Sequence, residues 1–358
     1  MNISSEESSK ISISCWGNHC IKGKNTAIFL FIGVVAISSL VLYKSAYPFQ
    51  ILLPSSSMLN QTHSMGKLED NLEEVLKAAS MEDKTVILTT LNDAWAEAGS
   101  IFDLFLESFR IGNNTKGLLS HLVIITLDEK AYGRCKEVHE HCYALVSKGL
   151  NFTDVAEFMT PNYLEMMWRR INFLSTILEM GYNFVFTDAD VMWLRNPFPH
   201  FYPDADFQIA CDYYSGNSSD KNNAPNGGFN YVKSNPRTIQ FYQFWYSSRK
   251  LYPEMHDQDV LNMIKFDPFI DKLGLKMIFL DPNYFGGFCT PSEDFNLVCT
   301  MHANCCIGLE NKIHDLKLVL QDWTKFLFSP PNLKALPSSF SWRAPDNCRV
   351  HIEPSTGE

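Results

Sequence analysis

The chain has 358 residues, 46% of them hydrophobic and 20% charged, enough for one sizeable core or two small ones. A formal net charge of −10 gives no basic face for nucleic acid, so no nucleic-acid partner is expected. Neither a Gly-x-x-x-x-Gly-Lys nor a Gly-x-Gly-x-x-Gly loop is present, so any bound phosphate must be held by other means.

Residues 1–25 read as a cytosolic tail and residues 26–43 as an uncharged apolar span, preceded by Lys22 and Lys24 and followed by Lys44. The span is at the short end for a membrane helix. A cleaved signal would begin nearer Met1 and end in small residues, whereas this run exits through Tyr43-Lys44, which favours an uncleaved signal anchor. The basic residues ahead of it place the N-terminus in the cytosol and the body in the lumen, and a short span suits the thin membranes of the early secretory pathway. Sequons at Asn60, Asn113, Asn151 and Asn217 all follow the anchor and are candidate glycosylation sites. Cys15 and Cys20 precede it; the eight body cysteines read as disulfides, with Cys135–Cys142 the one local pair that spacing suggests. Zinc is disfavoured because no Cys-x-x-Cys pair exists.

Residues 44–84 form a stem and lead-in helix: Ser45 to about Gly66 is rich in Ser and Pro, then Leu68, Leu72, Val75, Leu76 and Ala79 recur at helical spacing. A globular domain follows over residues 85–328. Its expected elements are a strand from Val86 to Leu91, a helix Ile101–Arg110, a strand His121–Leu127 and a helix Glu129–Ser147. A helix Pro161–Met180 then stops at Gly181 before the strand leading to Asp188. Further strands are expected at Phe207–Cys211, Gly228–Val232 and Lys276–Leu280, and helices at Pro236–Ser248, Asp257–Ile264 and Gly308–Phe326. This alternation predicts an α/β fold with a mainly parallel, doubly wound sheet and its ligand site at the carboxyl ends of the strands. Residues 329–358, with several prolines, are read as a tail wrapping the surface.

The chemistry concentrates at strand ends. Phe184-Val-Phe-Thr-Asp188-Ala189-Asp190 is an apolar run ending in two carboxylates, which in extended backbone face one side and suit one hard divalent cation. An acidic turn is the plain alternative. Thr89, Thr90, Leu91 and Asn92 end the first strand, where they would receive a base and ribose unless Asn92 or Asp93 merely caps a helix. Asp128 reads as a helix cap. Of Arg169 and Arg170, adjacent on a helix, only one can look into the site; Arg170 is chosen as a diphosphate partner. In Asn226-Gly227-Gly228 the glycines permit close backbone approach to a substrate and Asn226 offers a donor and an acceptor, a tight turn being the rival. His256-Asp257-Gln258-Asp259 opens a helix with more polar groups than capping needs, which suits sugar hydroxyls; Asp257 and Gln258 are substrate-binding candidates, and Gln258 and Asp259 catalytic ones. His302 is a candidate metal ligand with Asp188 and Asp190, and Gly308 with Lys312 a phosphate contact, although a lone histidine is more often structural.

Several stretches resemble the plant nucleotide-diphospho-sugar transferase domain of glycosyltransferase family 77: Thr89-Thr-Leu-Asn-Asp-Ala-Trp95, Trp168-Arg-Arg-Ile, Phe186-Thr-Asp-Ala-Asp-Val-Met-Trp-Leu-Arg-Asn-Pro-Phe, Asn226-Gly-Gly-Phe-Asn-Tyr-Val, His256-Asp-Gln-Asp-Val-Leu-Asn and His302-Ala-Asn-Cys-Cys-Ile-Gly-Leu-Glu-Asn-Lys. The resemblance runs from about Thr85 to Lys325. It implies a GT-A fold, a Golgi membrane protein of single-pass type II topology, a manganese- or magnesium-dependent UDP-sugar donor, retention of anomeric configuration, and a cell-wall polysaccharide or glycoprotein acceptor. Two rivals remain. A haloacid-dehalogenase-type phosphatase would use Asp188 as nucleophile and Asp190 as general acid, but its nucleophile strand opens the domain, whereas two strands precede Asp188 here. An inactive lumenal scaffold would keep the fold and lose turnover.

Overall fold

The structure is a computed structural model, and it describes residues 72–145, 159–336 and 339–348. The expected anchor, most of the stem, the sequons at Asn60 and Asn151, and residues 349–358 lie outside those residues. Among the described residues no helix is long and apolar enough to cross a membrane.

Strand β1 (Thr85–Leu91) is buried at all but one position and β2 (Leu122–Thr126) at every one, the pattern of central strands covered on both faces. They belong to a seven-stranded sheet in the order β3-β2-β1-β4-β7-β6-β8, where β3 is Cys142–Ala144, β4 Asn183–Thr187, β6 Phe207–Tyr213, β7 Ala224–Val232 and β8 Met277–Phe279. The β1–β2, β1–β4, β2–β3 and β6–β8 pairs are parallel, and β7 runs antiparallel to both β4 and β6. The result is the mainly parallel α/β architecture expected, with one reversed strand inside it.

Side chains alternate across a strand, and here the alternation divides the core in two. Ile87, Leu91 and Ile124 join one apolar cluster with Phe105 of helix Ile101–Ile111 and Trp323 of helix Leu309–Phe328. Val86, Leu88 and Ile125 join the other, with Trp168 of helix Pro161–Glu179 and Trp245 of helix Pro236–Ser248. Helix starts follow capping chemistry: the Asp128 carboxylate accepts from Ala131 N–H, Thr160 from Tyr163 N–H, and Asn235 closes a capping box with Thr238.

Three expectations need correction. The helix expected over Glu129–Ser147 ends at Val138, because the chain turns back to form the edge strand β3 and the Cys135–Cys142 disulfide closes that turn. A second sheet of three-residue strands, β5 (Val191–Trp193), β10 (Thr300–His302) and β9 (Phe285–Gly287), was not expected; runs that short carry no readable period. Finally, only six of the eight body cysteines pair: Cys135–Cys142, Cys289–Cys305 and Cys306–Cys348 are bonded, while Cys211 and Cys299 are buried free thiols. Burial pushes both thiols up to about 12, so they stay protonated and unreactive.

The described part of the tail is built into the fold. Trp342 stacks on Phe295 at 3.8 Å, and Cys348 is fully buried in its disulfide.

Candidate functional site

Strand β4 ends at Thr187, and Asp188 N–H donates to Gly228 O on β7 at 2.7 Å, which fixes where the acidic turn begins. Ala189 is buried in that turn, and the chain leaves through β5. β5 pairs antiparallel with β10 so that Val191 faces His302, and Ala303 N–H donates to Asp190 O at 3.1 Å. The pairing brings ligand atoms of Asp188, Asp190 and His302 within 4.8 Å of one another. The three residues expected as a metal set thus form one cluster from two sheets.

The charges around that cluster are unequal. Lys312 Nζ lies 2.6 Å from Asp190 Oδ2, and His302 Nε2 lies 3.1 Å from Oδ1. The imidazole approach is not aligned as a hydrogen bond, so Oδ1 remains a buried acceptor without a donor. Burial raises the Asp190 pKa, but Lys312 and His302 outweigh it and hold the carboxyl well below the usual carboxylate range. Burial pushes Asp188 up instead, against the opposing Arg170. Burial alone would lower His302, yet the Asp190 carboxylate raises it overall. An undonated carboxylate oxygen, a ring nitrogen and a second, partly exposed carboxylate fit a hard divalent cation, which would replace the proton on His302.

Gly228 shows how tightly this corner is built. A Cβ there would lie 2.4 Å from His302 Cε1 and 2.7 Å from Asp188 Oδ2, so only glycine lets β7 pass. Gly227 is different: its nearest neighbour would be Arg170 Nη2 at 3.5 Å, an ordinary contact.

Arg170 and not Arg169 faces the site. Its Nη1 donates to Asp188 Oδ1 at 3.0 Å and its Nη2 to Asp257 Oδ2 at 2.6 Å, with the guanidinium 4.8 Å from the Phe186 ring centroid. Arg169 pairs with Glu165 on the helix surface. Expected as a diphosphate partner, Arg170 braces two carboxylates.

His256 is the N-cap of helix Asp257–Ile264, which leaves the next residues free for other work. Asp257 is buried on Arg170, and Gln258 accepts from Gly227 N–H at 2.8 Å while donating to Asp212 Oδ2 at 2.9 Å. Asp259 stands apart, half exposed, with its carboxylate 3.3 Å from His256 Nε2.

The end of β1 is divided. Thr89 and Leu91 are buried, whereas Thr90 lines a cleft with Leu127, Met167 and Arg170. Asn92 caps the short helix Asp93–Ala96, and Asp128, besides capping its own helix, accepts from Asp93 N–H at 2.8 Å. Gly308, at φ +93°, starts helix Leu309–Phe328, and Lys312 sits one turn on, with Nζ 5.5 Å over the Trp95 ring. The sequon residues Asn113 and Asn217 are both exposed at the surface.

Two residues of this neighbourhood, Asp212 and Asn304, were not among the expected site residues. Asp212 accepts from Asn226, Gln258 and Asn304, and Asn304 accepts from Cys289 N–H at 3.1 Å. A readable signal for Asp212 existed: like Asp188, it is an acidic residue near the end of an apolar strand.

The nucleotide-diphospho-sugar transferase family model matches residues 117–316. An uncharacterized Arabidopsis thaliana protein is 53% identical over 83% of this chain and 78% of its own length. The Arabidopsis thaliana UDP-D-xylose:L-fucose alpha-1,3-D-xylosyltransferase 3 is 24% identical over 49% of this chain and 43% of its own. Among solved structures, mouse xyloside xylosyltransferase 1 is similar with a TM-score of 0.37 and 15% identity, over 62% of this chain and 98% of that one. The chain belongs to the nucleotide-diphospho-sugar transferase family, and that membership displaces the phosphatase reading of Asp188.

Proposed function

We propose that this protein is a glycosyltransferase that moves a sugar from a UDP-sugar to a carbohydrate or glycoprotein acceptor, with retention of anomeric configuration. The observation that carries the reading is the Asp188, Asp190 and His302 corner with Lys312 beside it. Those three residues would hold Mn2+ or Mg2+, which supplies a Lewis acid for the donor diphosphate. Lys312, on the first turn of its helix, adds positive charge where the leaving phosphate gains negative charge. Asp188 stays oriented because Arg170 holds one of its oxygens. Gln258 presents a carbonyl dipole and Asp257 a buried carboxylate on the far side of Arg170, which together favour a sugar carrying positive charge. With a retaining course the departing phosphate can take the acceptor proton, and no protein base is required.

A Golgi location with the catalytic body in the lumen, and a plant cell-wall polysaccharide or glycoprotein as acceptor, complete the proposal. Support for the setting comes from the apolar span at residues 26–43 and the sequons after it; of the expected UDP-pentose or UDP-hexose donors, the relative named for UDP-D-xylose supports a pentose. A thermal-shift panel of UDP-sugars with Mn2+, followed by NMR of the anomeric product, tests the reading. Stabilisation by one UDP-sugar and an α-linked product from an α-linked donor are expected. Equal melting temperatures with every donor would favour a scaffold that has kept the fold and lost turnover.

A further inference from the structure

Asp212, near the end of β6, is half-buried and gathers three carboxamides from remote parts of the chain. Asn226 Nδ2 and Asn304 Nδ2 each donate to its Oδ1 at 2.8 Å, and Gln258 Nε2 donates to its Oδ2 at 2.9 Å. Each amide is held at its other end by a backbone N–H: Asn226 Oδ1 accepts from Gly228, Gln258 Oε1 from Gly227, and Asn304 Oδ1 from Cys289. An ionised carboxylate accepts only and an N–H donates only, so flipping any of the three amides would set donor against donor at one end and acceptor against acceptor at the other. The network therefore permits one orientation of each amide.

We propose that Asp212 is a positioning residue for sugar transfer, fixing the Gln258 carbonyl oxygen toward the glycine segment so that its dipole meets the reacting sugar in the favourable sense. The inference rests on the glycosyltransferase reading above. The isosteric change Asp212→Asn separates the roles of the two oxygens. The carboxamide it introduces has a single carbonyl oxygen, and two donors, Asn226 and Asn304, already converge on the Oδ1 position. That oxygen stays with the pair, and the new NH2 faces the NH2 of Gln258. Gln258 cannot answer by flipping, because Gly227 N–H would then meet a donor. The substitution thus releases Gln258 and leaves the metal corner in place.

The test measures donor hydrolysis and transfer by the full chain in Asp212→Asn, Gln258→Ala and the double variant, with UDP binding in Mn2+ by calorimetry as a second readout. We expect kcat to fall about tenfold in Asp212→Asn, within the range of couplings in one hydrogen-bond network. UDP affinity should stay within about twofold, because no ligand of the metal corner is changed. The double variant should be no slower than Gln258→Ala alone. Should Asp212→Asn fail to fold, Asp212→Glu keeps the charge and should retain the UDP affinity with a reduced kcat. An active wild type whose Asp212 variants keep full kcat, or lose UDP binding in step with activity, overturns the inference alone. Additive losses in the double variant also overturn it. A wild type that binds no UDP and hydrolyses no donor overturns the glycosyltransferase reading and this inference together.

Discussion

His302 stands opposite Val191 in an antiparallel strand pair, and that single register position sets its ring nitrogen 3.1 Å from the Asp190 carboxylate. Since a one-residue slip turns a strand's side chains to the other face, the pairing decides whether His302 can share a cation with Asp190 at all.

Asp190→Ala removes one ligand of the proposed cation and leaves Lys312 without its carboxylate. Mn2+-dependent donor hydrolysis should fall by about 100-fold or more, since losing a partner that merely supports a metal ligand already costs about 10–100-fold, while the far-ultraviolet circular dichroism stays native. Activity within a factor of about two of the wild type, measured at saturating Mn2+, would refute the metal assignment.

The two adjacent glycines of β7 should respond differently to alanine. At Gly228 the new methyl meets His302 and Asp188 at 2.4 and 2.7 Å, and a cost of about 1–3 kcal/mol with loss of Mn2+ binding is expected. At Gly227 the nearest atom is 3.5 Å away, so stability should change by less than about 0.5 kcal/mol. Urea midpoints of the two variants, measured side by side, check the difference.

Asp315 has no solvent exposure and accepts from the N–H groups of Asp346, Asn347 and Cys348. Burial raises its pKa, but the His314 contact and these donors outweigh it and the carboxyl ends below its ordinary value. A depressed folded pKa adds stability that is present in full above the unfolded value of about 3.9 and is lost as pH falls through the folded one. Asp315→Asn should therefore cost about 2 kcal/mol near neutrality, as expected for hydrogen bonds to a charged group. Its stability should also decline less steeply than the wild type's below about pH 4, when followed by denaturant unfolding across pH.

Disulfide and thiol states are separable by alkylation. In the folded chain Cys211 and Cys299 should resist iodoacetamide, and after denaturation without reductant peptide mass spectrometry should find both modified while the six paired cysteines stay unmodified. Cys348→Ser opens a bond between residues 42 apart in sequence, and a loss of about 4 kcal/mol is expected from loop-closure entropy. A melting temperature within about 2 °C of the wild type would show that Asp315 alone secures this segment.

Much of the domain was legible along the chain. Helices Pro236–Ser248 and Asp257–Ile264 match their expected bounds at both ends, because a proline or polar cap starts each and the apolar period runs through it. Asp188, Asp190, His302 and Lys312 could be picked out for their chemistry, and Cys135–Cys142 for its spacing. Tertiary structure decided what those residues touch. The three-residue strands β5, β9 and β10 owe their existence to pairing with one another, so no local period announces them, yet they seat His302 beside Asp190. Helix geometry allows only one of Arg169 and Arg170 to face the site, but the two carboxylate partners of Arg170 lie 18 and 87 residues away and only packing brings them to it. Asp212 is the clearest case: its partners lie 14, 46 and 92 residues along the chain, and no local pattern encodes a contact whose energy arises only when separate segments are folded together.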